Sequence, residues 1–212
     1  MIALAARLLQ ALPQTQCTRC GYPDCAGYAQ AIESGEAGIN QCPPGGAEGV
    51  ARLAAITGKP AGTVDPRFGI EGPRAVAVID EAWCIGCTLC LDACPTDAIV
   101  GIHKRMHTVI EPHCTGCELC IPVCPVDCIS LEVVTPGRSG WHAWSQAQAD
   151  HARQRYEARK LRGIGHSPAA TASAEAATEP TSSAADRKRA IIEAALARAR
   201  APKSPGTPSG KP

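Results

Sequence analysis

The feature that most constrains this chain is an internal repeat of cysteine residues near its middle. Segments 83–99 and 113–129 align at a constant offset of 30 positions. Each carries the spacing Cys-x2-Cys-x2-Cys-x3-Cys followed by Pro-x-Asp, and the eight cysteines are Cys84, Cys87, Cys90, Cys94, Cys114, Cys117, Cys120 and Cys124. A repeat at a fixed period indicates that one local structure occurs twice. The chain therefore folds around two equivalent cysteine loops.

The residues around each cysteine loop predict a small α+β unit with pseudo-twofold symmetry. Apolar, β-branched runs predict strands at 75–79 and 129–134, and runs at 99–102 and 106–110 flank a basic turn, which predicts a hairpin. Residues 89–94 and 119–124 are each expected to form a short helix that ends at the following proline.

The cysteine spacing is that of bacterial ferredoxins, which hold [4Fe–4S] clusters. The fourth cysteine lies about 6 Å along a helix from the third, and in two-cluster ferredoxins it binds the other cluster. We therefore assign one cluster to Cys84, Cys87, Cys90 and Cys124, and another to Cys114, Cys117, Cys120 and Cys94. The alternative is a pair of zinc sites with four thiolate ligands, which has no use for a third regularly spaced cysteine in each loop.

A third group of cysteines lies nearer the N-terminus and has a different spacing. It reads Cys-x2-Cys-x4-Cys-x16-Cys and consists of Cys17, Cys20, Cys25 and Cys42. Four thiolates suit either zinc or a [4Fe–4S] cluster, and spacing alone leaves zinc open because all-cysteine zinc sites tolerate such gaps. The two ferredoxin loops that follow favour iron.

Composition divides the chain into four parts. They are an N-terminal four-cysteine domain (1–57), a Pro- and Gly-rich linker (58–75), a ferredoxin domain (76–134) and a cysteine-free tail (135–212). The tail is basic, since residues 145–212 carry twelve Lys or Arg and six Asp or Glu, whereas residues 1–144 carry nine and fourteen. Residues 145–162 and 186–201 are candidate helices separated by a flexible linker, and the alternative is a solvated, partly disordered tail with only nascent helix.

Composition also excludes several classes of function. A net charge of +1 argues against a nucleic-acid binder. We find no Walker loop, no dinucleotide-binding glycine motif and no nucleophile–base pair, which indicates an electron carrier that is not by itself an enzyme. No apolar run of 18 residues predicts a membrane span, and the N-terminus lacks a signal-peptide pattern. We therefore expect the cytoplasm, where clustered thiols serve metals or redox chemistry.

A few residues near the cysteine loops have ordinary interpretations. Cys128, the thirteenth cysteine, matches Ala98 in the repeat, so we expect a buried small side chain, with a spare ligand or a redox thiol as the alternative. His103 and His107 are expected to be solvated near the hairpin turn, and His113 is not expected to be a ligand. Asp97 and Asp127 are expected to cap local backbone groups.

The chain resembles the B subunit of the Rnf/Rsx electron-transport complex. The matching stretches are 12–25, 42–46, 75–80 and 124–129. The resemblance implies that the N-terminal cysteines also bind [4Fe–4S], for a total of three clusters that relay single electrons. It further implies redox proteins as partners, including other Rnf/Rsx subunits, in a membrane complex that couples ferredoxin and NAD redox to ion movement.

Two alternatives to a simple electron carrier stay open. The first is a component of the membrane-bound, ion-translocating ferredoxin–NAD oxidoreductase. Its known members begin with a transmembrane helix, whereas this chain begins with a twelve-residue apolar stretch. We expect this stretch to pack as a helix on the cluster domain, and peripheral contact with the inner face of the plasma membrane is the alternative. The second is a ferredoxin fused to a zinc-organised interaction module at 1–57.

Overall fold

Five α-helices and four short β-strands lie in residues 3–163, the part of the chain that this computed structural model describes. The helices are α1 (Leu4–Ala11), α2 (Cys25–Ser34), α3 (Gly46–Thr57), α4 (Leu89–Ala93) and α5 (Gln146–Leu161). The strands are β1 (Ala75–Ile79), β2 (Ile99–Val100), β3 (Thr108–Val109) and β4 (Ile129–Val133). This mixture confirms the α+β class; the helix expected at 186–201 and the flexible linker before it lie outside the described residues.

Helices α1, α2 and α3 surround an apolar core in the N-terminal part of the chain. Its most deeply buried side chains are Leu8, Leu12, Tyr28, Val50 and Leu53. Helix α2 begins where the Asp24 carboxylate accepts a hydrogen bond from the main-chain N–H of Gly27 at 2.7 Å. It ends at Gly35, whose φ of 82° suits the left-handed conformation that glycine adopts freely.

The four strands form two small antiparallel sheets with related registers. Strand β1 pairs with β4, with Ile79 opposite Ile129, and β2 pairs with β3, with Val109 opposite Ile99. Exchanging the two repeats converts the first pair into the second, because 79 plus 30 gives 109 and 129 minus 30 gives 99. The cysteine repeat therefore extends to the strand pairing.

One predicted helix is absent, because residues 119–124 form turns where a second short helix was expected. In the first repeat, the N–H of Asp92 bonds to the carbonyl of Thr88 inside α4 at 3.3 Å. The equivalent residue in the second repeat is Pro122, which has no N–H to donate. One turn survives there, through the N–H of Ile121 and the carbonyl of Glu118 at 3.0 Å.

Helix α5 lies in the segment assigned to the tail and forms where a charged helix was expected. Ser145 caps it through a reciprocal pair of hydrogen bonds with Gln148, and Gly163 follows its end with a φ of 67°. The helix is not solvated on all sides, since Ala149, Ala152 and Arg159 are buried.

Side chains around α5 bond to both of the cysteine-bearing regions. The Tyr156 hydroxyl donates to Asp24 at 3.0 Å, and the Arg155 Nε atom donates to the carbonyl of Thr96 at 2.6 Å. Just before the helix, the Trp144 Nε1 atom donates to the carbonyl of Pro13 at 2.9 Å. No helix among residues 3–163 has the length and apolar character needed to cross a bilayer.

Candidate metal centres

The first cavity of the ferredoxin region is lined by cysteines from both repeats. Cys84, Cys87 and Cys90 come from the first repeat, and the fourth cysteine, Cys124, comes from the second. The cavity measures about 270 Å³, counting the part open to solvent. Apolar side chains complete most of its wall, including Ile79, Ile85, Val126 and Ile129, and His107 and a fifth cysteine, Cys128, also line it.

The second cavity has the reciprocal composition. Cys114, Cys117 and Cys120 come from the second repeat, and Cys94 comes from the first. This cavity measures about 320 Å³ on the same basis. The structure therefore brings together the two sets of four cysteines expected from the sequence, each with its fourth member from the other repeat.

Main-chain N–H groups point at the sulfur atoms of both cavities. The N–H of His107 lies 3.3 Å from Cys84 Sγ, and the N–H of Ala77 lies 3.4 Å from Cys114 Sγ. These two contacts are related by the offset of 30. Such donors favour a thiolate over a thiol and tune the potential of a bound iron–sulfur cluster.

Glycine is required in each cysteine loop because the backbone passes too close to another segment. Gly86 has a φ of 69°, and a Cβ there would lie 2.5 Å from the main-chain N and O atoms of Arg105. Gly116 has a φ of 66°, and a Cβ there would lie 2.2 Å from the carbonyl oxygen of Ala75. Both positions combine the left-handed backbone with a close approach, and only glycine satisfies both conditions.

The chemistry of these side chains fits an iron–sulfur cluster. Burial raises the pKa of Cys90 and of Cys120 to about 12, and neighbouring thiolates add to the effect. Burial raises the pKa of Cys117 still further. Thiolates gathered at such a site need a compensating positive charge, which iron supplies. Residues 3–163 contain no group of three or more His, Cys, Asp or Glu side chains with the geometry to hold a single metal ion.

The N-terminal cysteines also come together, at the start of α2 and the loops beside it. Burial raises the pKa of Cys25, and the charges of Cys17 and Cys20 raise it further. Burial likewise raises the pKa of Cys42, with contributions from the other three cysteines, and it raises that of Cys20 to about 11. The four predicted ligands therefore lie within electrostatic reach of one another.

The loop that carries Cys17 has an unusual backbone that sequence reasoning missed. Gln14, Gln16 and Thr18 all have a positive φ, between 54° and 60°, a conformation that costs non-glycine residues energy and clusters at functional sites. The Gln16 side chain, only 3% exposed, accepts a hydrogen bond from the N–H of Cys25 at 2.9 Å. The only signal of this loop in the sequence was the pair of glutamines, Gln14 and Gln16, just before Cys17.

His107 overturns one expectation, since it is buried and not solvated. It is 1% exposed, and its Nδ1 atom lies 3.4 Å from Cys90 Sγ. His103 is exposed as expected. Cys128 is buried as expected, and its sulfur lies 3.4 Å from Cys124 Sγ. Burial and this contact raise the pKa of Cys128 to about 12.

Asp97 bonds to a distant helix, in contrast to the local cap that was expected. Its carboxylate forms ion pairs with Arg159 and Arg162 of the α5 region. Both Asp97 and Asp127 have a positive φ, of 48° and 51°. His113 stacks near His151 of α5, with ring centroids 5.2 Å apart.

Comparison with protein families agrees with this geometry. Residues 77–131 match the family described as "4Fe-4S dicluster domain", and residues 12–44 match the family described as "Putative Fe-S cluster". No solved structure matches the chain. The cysteine-lined cavities and these two matches define an iron–sulfur protein of the electron-transfer class.

Curated relatives identify the family more closely. A protein of Azoarcus sp. (strain BH72), named as the B subunit of an ion-translocating oxidoreductase complex, is 64% identical over 130 residues, covering 61% of this chain and 71% of the relative. A relative with the same name from Alkalilimnicola ehrlichii is 54% identical, over 68% of this chain and 77% of its own length. Another, from Thiobacillus denitrificans, is 56% identical, over 50% of this chain and 57% of its own length. The chain belongs to this family, the B subunits of ion-translocating oxidoreductase complexes.

Proposed function

We propose that this chain relays single electrons through three [4Fe–4S] clusters and carries out no bond chemistry of its own. The observation that carries the proposal is the crossed composition of the two cavities, in which Cys124 completes the first set and Cys94 the second. Each cluster, when bound, accepts and returns one electron. The protein contributes fixed positions, exclusion of water and hydrogen bonds to sulfur.

A pseudo-twofold ferredoxin domain at 76–134 is part of the proposal. Three relations support it, all at an offset of 30: the strand registers, the N–H contacts to Cys84 and Cys114, and the left-handed glycines Gly86 and Gly116. Residues 1–57 form the separate four-cysteine domain in this interpretation, and residues 58–75 link the two.

The contacts between the two domains suggest an order for the relay. Thr115, next to Cys114, donates from its hydroxyl to the carbonyl of Thr15 at 2.9 Å. Glu118, next to Cys117, forms a 2.5 Å ion pair with Arg19. The N-terminal cysteine loop thus lies against the second ferredoxin loop, so electrons pass between the N-terminal site and the Cys114 site, and from there to the Cys84 site.

The family membership supports a place for this relay within a larger assembly. The relatives are named as subunits of an ion-translocating oxidoreductase complex. We propose that other subunits of such a complex and a redox protein are the partners of this chain, and that it works in the cytoplasm or at the inner face of the plasma membrane. It is then an electron-carrying component and not an enzyme by itself.

Metal and sulfide analysis of protein purified without oxygen tests the cluster count. Three clusters require about twelve irons and twelve acid-labile sulfides per chain, since each cubane holds four of each. About eight irons with one zinc would favour the zinc-organised N-terminal module.

Two double variants test the crossed ligand sets. In the crossed arrangement Cys84→Ser with Cys124→Ser damages one cluster and leaves about eight irons, whereas Cys84→Ser with Cys94→Ser damages two and leaves about four. An uncrossed arrangement gives the reverse result. Because both proteins lose two cysteines from the same domain, each serves as the control for the other.

A further inference from the structure

The two ferredoxin loops are alike in sequence but differ in what covers them. Thr115 of the second loop is 6% exposed and bonds to Thr15. Its counterpart in the first loop, Ile85, is 57% exposed and also lines the Cys84 cavity. Ile85 therefore lines that cavity and is at the same time exposed on the protein surface.

A second pair of equivalent residues shows the same difference. His113 of the second loop lies against His151 of α5, whereas its counterpart Trp83 is 70% exposed. The N-terminal domain and α5 thus cover the Cys114 loop, and neither covers the Cys84 loop at these positions. Because the two loops have the same cysteine spacing, this difference in exposure distinguishes the Cys84 loop from the Cys114 loop and does not follow from the repeat itself.

The hairpin turn adds further apolar side chains beside the open loop. The N–H of Lys104 bonds to the carbonyl of Gly86 at 2.9 Å, so the turn lies directly on the loop. Ile102 and Met106, at the two ends of the turn, are 68% and 57% exposed. We call the set Trp83, Ile85, Ile102, Lys104, Arg105 and Met106 the exposed face.

The exposed face also carries the only basic side chains of an otherwise acidic segment. Lys104 and Arg105 are the only Lys or Arg residues between positions 75 and 137, a segment that holds eight Asp or Glu, and both are exposed. Bound clusters with their thiolates add further negative charge. An apolar patch beside an isolated pair of cations is complementary to an apolar patch with a carboxylate rim.

We propose that the exposed face is the docking surface for a small acidic electron-transfer protein, which exchanges electrons with the cluster held by Cys84, Cys87, Cys90 and Cys124. This rests on the proposed relay, in which the Cys84 site is one end and the neighbouring Cys114 site is covered by the chain itself. The basic tail of the same chain is a poor occupant, because it carries the same sign of charge as Lys104 and Arg105. A symmetric contact between two copies would bring two basic turns to one interface.

Stopped-flow electron transfer from a reduced, acidic bacterial two-cluster ferredoxin tests the proposal on the full-length, cluster-loaded chain. Lys104→Glu with Arg105→Glu should slow the second-order reaction at least about tenfold at low ionic strength and weaken its dependence on salt. The matched control, Lys59→Glu with Arg138→Glu, makes the same change in charge at exposed residues elsewhere and should alter the rate less than about twofold.

A pair of apolar variants tests the rest of the face. Ile102→Ser should slow the reaction, whereas Ile70→Ser, at a residue that is 82% exposed, should leave it unchanged. Methyl viologen, a small cation that needs no docking surface, should reduce the clusters of every variant alike. Equal effects of the two members of either pair, with viologen reduction intact, would overturn the docking proposal. Failure of the unmodified chain to take up electrons from both the ferredoxin and the viologen would instead count against the relay.

Carbodiimide cross-linking identifies the occupant directly. We expect Lys104 to be joined to a carboxylate of the ferredoxin, as identified by mass spectrometry of the cross-linked peptides. Cross-links from Lys104 to residues 164–212 or to a second copy of the chain, in place of the ferredoxin, would assign the face to one of those occupants and refute the proposal.

Discussion

The imidazole of His107 lies against the sulfur of Cys90, with 3.4 Å between Nδ1 and Sγ. The main-chain N–H of the same residue donates to Cys84 Sγ at 3.3 Å, so one residue contacts two sulfurs of one cluster site. The equivalent residue in the other half is Ala77, which offers only its main-chain N–H, to Cys114. The Cys84 site therefore has an imidazole ring beside one of its sulfurs, and the Cys114 site has no ring at the equivalent residue.

Replacing His107 should change the reduction potential of one cluster and spare the other. With the proton on Nδ1 the ring donates to sulfur and stabilises the more negative, reduced cluster. We expect His107→Ala to lower that potential by about 50 mV, the one-electron equivalent of roughly 1 kcal/mol. Redox titration followed by electron paramagnetic resonance measures the shift. His103→Ala, in the same hairpin but exposed, should leave both potentials in place.

Arg159 should be essential for holding α5 on the ferredoxin domain. Its side chain is 4% exposed, pairs with Asp97 and donates to the carbonyl of Asp92 at 2.7 Å. Removing this buried guanidinium leaves the carbonyl of Asp92 without this donor and Asp97 with Arg162 alone, so we expect Arg159→Ala to cost about 3 kcal/mol of unfolding free energy. Anaerobic denaturation measures this loss. Arg153→Ala, which removes a partly exposed pair with Glu157, should cost less than about 0.5 kcal/mol.

Tyr28 should be required for full occupancy of the N-terminal cluster site. Its hydroxyl donates to the carbonyl of Gly38 at 2.8 Å and accepts from the N–H of Gln41 at 3.0 Å, next to Cys42. Tyr28→Phe leaves both backbone groups without this partner, at a cost of about 1–3 kcal/mol. We expect iron content to fall by about four atoms per chain, the content of one cubane. Tyr22→Phe is the control, and equal iron in the two variants would contradict this role.

Removal of iron should unfold the ferredoxin domain before the N-terminal helices. Six of the twelve buried residues in the ferredoxin core are cysteines, so the clusters stand where a larger domain has apolar side chains. The N-terminal core contains Leu8, Leu12, Tyr28, Val50 and Leu53 and depends less on metal. Hydrogen exchange after anaerobic chelation should show loss of protection at 75–133 and retention in α1 and α3. Uniform loss in both regions would contradict the prediction.

The repeat and the strand patterns were predictable because they depend on local residue type. Strand β1 matches the predicted range 75–79, and β4 ends one residue earlier than predicted, at Val133. Helix α5 was also foreseen, since it lies within the predicted range 145–162. These elements need no knowledge of what lies across the fold.

The wrong predictions concern residues whose structure depends on a distant segment of the chain or on a missing hydrogen-bond donor. The second short helix does not form because Pro122 lies at the position equivalent to Asp92 and has no N–H to donate. This cause is local, but the prediction treated the two repeats as equivalent. Burial of His107 and pairing of Asp97 with Arg159 depend on contacts made only after folding. No pattern within the hairpin or the Cys-Pro-x-Asp segment encodes those partners.

The pairing of β1 with β4 determines how the ferredoxin domain is joined to the rest of the chain. Ala75 lies opposite Val133, and the N–H of Val134 bonds to the carbonyl of Arg74 at 2.9 Å, so the two ends of the domain are neighbouring strands about 5 Å apart. The segments before and after it meet again, as the bond from Trp144 to Pro13 shows. The duplicated segment thus begins and ends on paired strands, and the segments before and after it contact each other directly.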